Sequence, residues 1–204
     1  MSAPVALDAL LAARRVWRGR AMPEAVASRQ PSGHAALDAC LPQGGWPEAA
    51  LIEILIAADG IGELTLLFPT LARLTQSGQR VLLIAPPYGV HAPAWQGAGV
   101  VLSRLHVVRA APREALWAAE QCLRSAACAA VLCWPLQADE RALRRLQVAA
   151  QSGQCLGFAF RDARCANNPS PAALRVQIEA GSRHLRIRKC RGGLAPAHAI
   201  AWTA

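Results

Sequence analysis

The residues most suggestive of chemistry are Ala57-Ala58-Asp59-Gly60-Ile61-Gly62-Glu63-Leu64. They occupy the frame of a phosphate-binding loop, GxxxxGK[ST]. There a glycine turns backbone amides toward an anion, a lysine neutralises the terminal phosphates and a hydroxyl ligates magnesium. Gly62 fills the second glycine position, but Ala57 stands at the first, Glu63 at the lysine and Leu64 at the hydroxyl. Exchanging an ammonium for a carboxylate reverses the local charge and sets it against a polyanion. At ~4 Å and an effective dielectric near 20, each such repulsion costs about 4 kcal/mol. Asp59 adds a second negative charge, and Leu64 cannot coordinate a metal.

Two further positions lack what ATP hydrolysis requires. One apolar run ends Ala85-Pro86-Pro87, where a carboxylate would activate water, and a later one ends Cys133-Trp134-Pro135, where an Asp would hold the metal. Pro87 and Trp134 can do neither. Pro69 would also remove a hydrogen bond from any helix running through it. The expectation is a degenerate phosphate loop (Ala57, Gly60, Gly62, Glu63, Leu64) with no cofactor, no metal and no catalytic residues.

Other reactive groups are scattered. Seven cysteines stand at 40, 122, 128, 133, 155, 165 and 190, with no CxxC pair and no Cys/His spacing of zinc type. Cys128, Cys133 and Cys155 lie in apolar stretches, where free cysteine acts as a small hydrophobe. The five histidines form no arrangement with Ser and Asp, and His106, within an apolar run, reads as structural. Basic residues concentrate near the end: Arg183, Arg186, Arg188, Lys189 and Arg191, with Arg175 on the preceding run. Arginine forks suit phosphates and carboxylates alike, so these six are candidates for DNA or partner binding, against the alternative of a solvated sheet face. Single-strand binding usually adds stacked aromatics, and this segment has none.

The elements that must position these groups follow from hydrophobic periodicity. Ala50–Ala57, Arg80–Ala85, Leu105–Arg109, Ala129–Trp134 and Cys155–Phe160 are short apolar runs that read as strands buried on both faces, the mark of a parallel sheet covered by helices. Helices fit at about 63–77, 113–125 and 138–151. Leu174–Glu179 and His184–Arg188 alternate strictly around Gly181-Ser182, which predicts an antiparallel hairpin. The fold class is therefore α/β: a mostly parallel sheet flanked by helices, a C-terminal antiparallel hairpin at about 174–191, and an N-terminal amphipathic helix. That helix and its linker occupy 1–31, and the core domain 32–204. Leu7, Leu10 and Trp17 are candidate anchors for a groove on a partner. Pro86, Pro87, Tyr88 and Trp95 are either core filling or an apolar interface left by the lost nucleotide site.

Composition narrows the class. Hydrophobic residues make up 53% and charged residues 17%, a balance opposite to that of disordered chains. No run approaches the ~18 apolar residues of a membrane span, and the N-terminal stretch lacks an apolar signal core, so a soluble cytoplasmic protein with reduced thiols is expected. Basic residues outnumber acidic ones, 22 to 13, for a net charge of +9, and Lys189 is the sole lysine. That charge fits either a GC-rich coding bias or attraction to an acidic partner.

Several segments carry a resemblance to a known family. Ser32-Gly33-His34-Ala35-Ala36-Leu37-Asp38, Leu41-Pro42-Gln43-Gly44-Gly45-Trp46-Pro47, Leu51–Leu55 and Gly60-Ile61-Gly62-Glu63-Leu64 resemble ImuA, as do Leu10–Gly19 and Arg191-Gly192-Gly193. ImuA proteins are accessory factors of translesion DNA synthesis, distantly similar to RecA and to the SulA division inhibitors. The resemblance implies a RecA-like core and a non-catalytic scaffold role in damage-induced mutagenesis. It also implies partners: an ImuB-like adaptor polymerase, an error-prone C-family polymerase and RecA itself; DNA, from the basic hairpin, and a second copy of the chain stand beside them as candidates. Two alternatives stand beside it: a SulA-type inhibitor that binds the tubulin-like FtsZ, and a nucleotide-binding RecA-like ATPase.

Overall fold

The computed structural model of the chain describes residues 28–135 and 138–202. The expected N-terminal helix with Leu7, Leu10 and Trp17 lies outside the described residues. Eight strands are present: β1 (Leu51–Ile56), β2 (Val81–Ile84), β3 (Leu105–Val108), β4 (Ala130–Cys133), β5 (Leu156–Asp162), β6 (Leu174–Ile178), β7 (His184–Cys190) and β8 (Ile200–Ala201). They form one sheet in the order β3-β2-β4-β5-β1-β6-β7-β8. The first six run parallel, and β7 and β8 are antiparallel to their neighbours. The α/β layout and the C-terminal antiparallel strands are as the periodicity predicts.

The described residues include five α-helices, the first ahead of β1 and the others between strands: α1 (Ala35–Asp38), α2 (Glu63–Gln76), α3 (Ala92–Gly97), α4 (Pro112–Arg124) and α5 (Glu140–Ser152). Local chemistry fixes their ends. Pro112 opens α4 at a position whose N–H would have no partner in any case. Asp139 caps α5, its carboxylate accepting the Ala142 amide at 2.7 Å. Gly78, at φ +80°, ends α2. The helix continues through Pro69. The proline ring instead packs on Gly33, where an added Cβ would stand 2.3 Å from Pro69 Cβ.

Strand alternation sorts the core into two layers. Ile52, Ile54 and Ile56 of β1 face α2, together with Leu132, Phe158 and Val176. Leu51, Val131 and Ala159 face α4 and α5. β1 is buried along its whole length, the position of a central parallel strand. β3 departs from the expectation of burial on both faces. Among the described residues it ends the sheet, paired with β2 alone, with His106 exposed and Val107 44% exposed. The structural role expected of His106 is thereby corrected. An apolar run of four residues reads the same at an edge as at the centre, because the missing neighbour is not written in it. No helix among the described residues is long and apolar enough to cross a membrane. Residues 28–31 dock on the core rather than trailing from it, with the Trp46 amide donating to the Gln30 carbonyl at 2.8 Å.

One charged residue sits at the centre of this apolar sheet. Glu53 on β1 is fully buried, flanked by Arg161 on β5 and Arg175 on β6, each about 5% exposed. Its Oε2 accepts from Arg175 Nε at 2.7 Å, and its Oε1 accepts from Ser170 Oγ at 2.8 Å and Arg161 Nη1 at 3.4 Å. The remaining Arg175 donors reach the carbonyls of Cys165, Ala166 and Asn168, and Arg161 Nη2 reaches that of Ala138. The 3-10 turn Ala163–Asn167 and the strand β6 are thus fastened to β1 through one carboxylate. Removing one partner of a buried ion pair strands the other's charge, at about 3–5 kcal/mol. Glu53→Ala is expected to lower unfolding free energy by that amount, read as a fall in the urea midpoint with unchanged slope.

Candidate functional site

In open α/β sheets, ligands collect at the carboxyl ends of the strands. Two features meet there: the turn from β1 into α2, and a groove above β2, β3 and β4. The turn has the expected frame, with Gly62 at φ +99° as the N-cap of α2. A helix N-terminus of this kind presents unpartnered N–H groups and the positive end of the helix dipole. Here the chain supplies the anion itself. Glu63, only 7% exposed, turns its Oε1 back to accept the Gly60 amide at 3.0 Å. The carboxylate that replaces the lysine therefore takes up a backbone donor of the loop as well as opposing phosphate charge. Ala57 and Gly60 are exposed, and Leu64 packs partly buried against the core.

A second obstruction comes from the far end of the sequence. Trp202, 4% exposed, lies against Gly62, so that a Cβ there would stand 3.4 Å from the indole. The same ring meets His34 edge-on, with centroids 5.7 Å apart. His34 in turn donates from Nε2 to the Leu66 carbonyl at 3.0 Å. The sequence reading missed Trp202 because nothing in its local pattern links it to residue 62.

The groove encloses about 1140 Å³. Pro86, Pro87 and Tyr88 beyond β2, Val107 and Arg109 at β3, Leu116 on α4 and Trp134 beyond β4 line it, with Asp59 at one side. The two positions lacking catalytic carboxylates therefore share one apolar wall. Trp134 stacks on Phe160 at 4.9 Å and 16°, which fixes its plane. Tyr88 is 68% exposed. Trp95, grouped with it in the sequence, belongs to the core, edge-on to Phe68 at 5.2 Å. Arg109 and Arg113 bring positive charge to the rim. The surface suits an apolar segment carrying an acidic side chain, since aromatic and arginine residues are the usual anchors of such contacts.

The basic hairpin is arranged differently from the expectation of an open cationic surface. Arg175 is buried on Glu53 and offers nothing to a phosphate, which corrects its place among the candidate contacts. Lys189 Nζ donates to the Ser170 carbonyl at 2.6 Å, Arg191 to that of Pro171 at 3.0 Å, and Arg188 to Asn167 Oδ1 at 3.4 Å. Burial, and then the neighbouring Arg191 and Arg175, hold the Lys189 amine below its ordinary value. Arg186 pairs with Glu179 at 2.7 Å. Arg183, Arg186, Arg188 and Arg191 remain exposed. Arg175, Arg188, Lys189 and Arg191 thus fasten the connection between β5 and β6, whereas Arg186 turns to Glu179 and the Ala197 carbonyl. Contact spacing along a strand could not reveal this, because the acceptors are backbone oxygens of another segment.

Comparison with known proteins adds the following. A family model described as "Cell division inhibitor SulA" matches residues 51–157, from β1 to the start of β5. Among solved structures, the crystal structure of SulA from Pseudomonas aeruginosa is 29% identical in sequence. The match covers 56% of this chain and 98% of that one, with a TM-score of 0.47. No curated protein matches. The family match corrects the functional expectation: the matched family is that of the division inhibitors, so the translesion-synthesis scaffold reading gives way to the alternative set beside it. The ImuA motifs at Ser32–Asp38 and Leu41–Pro47 lie outside the matched residues. For the loop itself, a hydrogen bond to a charged acceptor is worth roughly 1.5–3 kcal/mol. Glu63→Ala should therefore speed hydrogen exchange at the Gly60 amide by roughly tenfold or more, measured by NMR.

Proposed function

The chain belongs to the SulA family, and from that premise we propose that it inhibits cell division by binding the tubulin-like protein FtsZ. The match over residues 51–157 carries this reading. Those residues include most of the groove wall, from Asp59 through Tyr88, Val107 and Leu116 to Trp134. Inhibition is by occupancy and requires no turnover. A loop whose Gly60 amide is already bonded to Glu63, and strand ends that offer Pro87 and Trp134 where carboxylates would be needed, support a protein that acts without ATP.

The partner docks in the groove, with Tyr88 as an anchor and Arg109 and Arg113 facing acidic side chains. Overproduction in dividing cells is expected to give filaments, and the purified chain to bind FtsZ directly and reduce its GTP-dependent sedimentation. Unhindered polymerisation together with normal division would end the proposal. Truncating a central interface aromatic typically costs 2 kcal/mol or more, so Tyr88→Ala should weaken FtsZ binding by roughly thirtyfold while leaving the circular dichroism spectrum unchanged. Glu63→Lys is expected to release no phosphate from ATP above the level of the unaltered chain. Turnover in that variant would show that the positions of Pro87 and Trp134 are not the ones that matter.

A further inference from the structure

The opposite end of the sheet, at the amino ends of β2, β4 and β5, holds a second cavity of about 490 Å³. Cys128 lies in its wall together with Arg80, Arg104 and Gln154. Directly behind Cys128 is Cys155, fully buried, with the two sulfurs 3.8 Å apart. We propose that Cys128 and Cys155 form an oxidisable thiol pair that takes hydroperoxides through this cavity and closes to a disulfide.

Three observations carry the pair beyond chance proximity. The first is access: Cys128 is 7% exposed and reaches the cavity, whereas Cys155 is sealed beneath it. That is the arrangement of an attacking thiol and a resolving one. The second is rigidity. The backbones meet where the Leu156 amide donates to the Ala129 carbonyl at 2.9 Å. The turn before Cys155 is clamped on the end of α4, for a Cβ at Gly153 would fall 1.9 Å from the Leu123 carbonyl oxygen. The third is backbone conformation. Ala49, Ala126 and Gln154, all lining the cavity, hold φ values of +49°, +54° and +51°. Three of the four left-handed non-glycine residues among those described are thus at this one place, and such conformations persist only where the surroundings enforce them.

The protonation states agree with this geometry. The Cys155 thiol, hydrogen-bonded to its neighbour and buried, is driven up and keeps its proton. The Cys128 thiol, receiving that hydrogen bond, is held below its ordinary value against the opposing effect of burial, and it is the one that yields its proton, which the Cys122 carbonyl accepts at 3.4 Å in the resting state. Arg80 and Arg104 add positive charge at the cavity wall.

The chemistry balances with hydrogen peroxide as the oxidant. The Cys128 thiolate attacks the distal oxygen, so that a sulfur–oxygen bond forms, the oxygen–oxygen bond breaks, and hydroxide leaves to be protonated to water. The Cys155 sulfur, giving up its proton, then attacks the Cys128 sulfenic acid. The disulfide forms as a second water departs. Two thiols are oxidised by two electrons, and one peroxide is reduced to two waters. An added dithiol reverses the bond by exchange. None of this depends on FtsZ or on the groove at the other end of the sheet.

The test uses the whole reduced chain, treated with hydrogen peroxide, quenched, alkylated, digested and read by mass spectrometry. The expected product is a Cys128–Cys155 cross-linked peptide pair, with an intact mass lower by two hydrogens and restored by dithiothreitol. Cys133, fully buried with its thiol pushed up to about 12, serves as the internal control and should be recovered unoxidised. In Cys155→Ala the reaction should stop at a sulfenic acid on Cys128, trapped by dimedone. Recovery of Cys128 and Cys155 as alkylated thiols while Cys40, Cys165 or Cys190 oxidise would overturn the proposal. So would a cross-link from Cys128 to Cys122, which lies one helix end away.

Discussion

A carboxylate in the middle of an apolar sheet cannot be left alone. Glu53 interrupts the run Leu51–Ile56 and points to the face that carries α4 and α5. An unpaired charge in that position would cost more than most domains have in net stability. Only an order that sets β5 on one side of β1 and β6 on the other brings Arg161 and Arg175 against it together. Two guanidiniums against one carboxylate leave an excess positive charge, and the carbonyls of Ala138, Cys165, Ala166 and Asn168 absorb it. The irregular connection from β5 to β6 is therefore shaped by a residue more than a hundred positions earlier. The basic hairpin extends the same logic outward, with Lys189 and Arg191 holding the next carbonyls along.

A second glutamate governs the other end of β1. Glu63 closes the turn into α2 by bonding the Gly60 amide, and Trp202 covers Gly62. The turn is closed from within by one carboxylate oxygen and an indole ring, while Glu63 Oε2 and Trp202 Nε1 stay buried without a partner. Surface available to another molecule is displaced sideways to the ends of β2, β3 and β4, where proline and tryptophan stand in place of carboxylates. A wall of that composition gains by excluding water from a partner.

The parts of this architecture that repeat locally could be read from the residues. β1, β2, β4, β5 and the hairpin fall within one or two positions of the apolar runs that announce them, because burial on two faces and strict alternation leave direct marks. The turn from β1 into α2 was equally legible in position, since Gly60 and Gly62 end the apolar run. What escaped was set by distant partners. Arg175 alternates like a surface residue and becomes buried only because Glu53 lies beside it in register. Residues 105–108 look central and lie at an edge. The 3-10 turn at Ala163–Asn167 and the short β8 have no periodicity to announce them. The family was legible only at its coarser level: Leu51–Leu55 and Gly60–Leu64 lie inside the stretch that matches the division inhibitors, whereas Gly44-Gly45-Trp46-Pro47 lies outside it.

The contact between Trp202 and Gly62 joins positions separated by most of the sequence. Pairings of such long range form late, since the intervening chain must be ordered before they gain anything. During synthesis on the ribosome, the turn into α2 emerges well before the indole that will cover it exists. For that interval Gly62 is open on the side later sealed, and the nascent chain presents a surface to its surroundings that the finished molecule conceals.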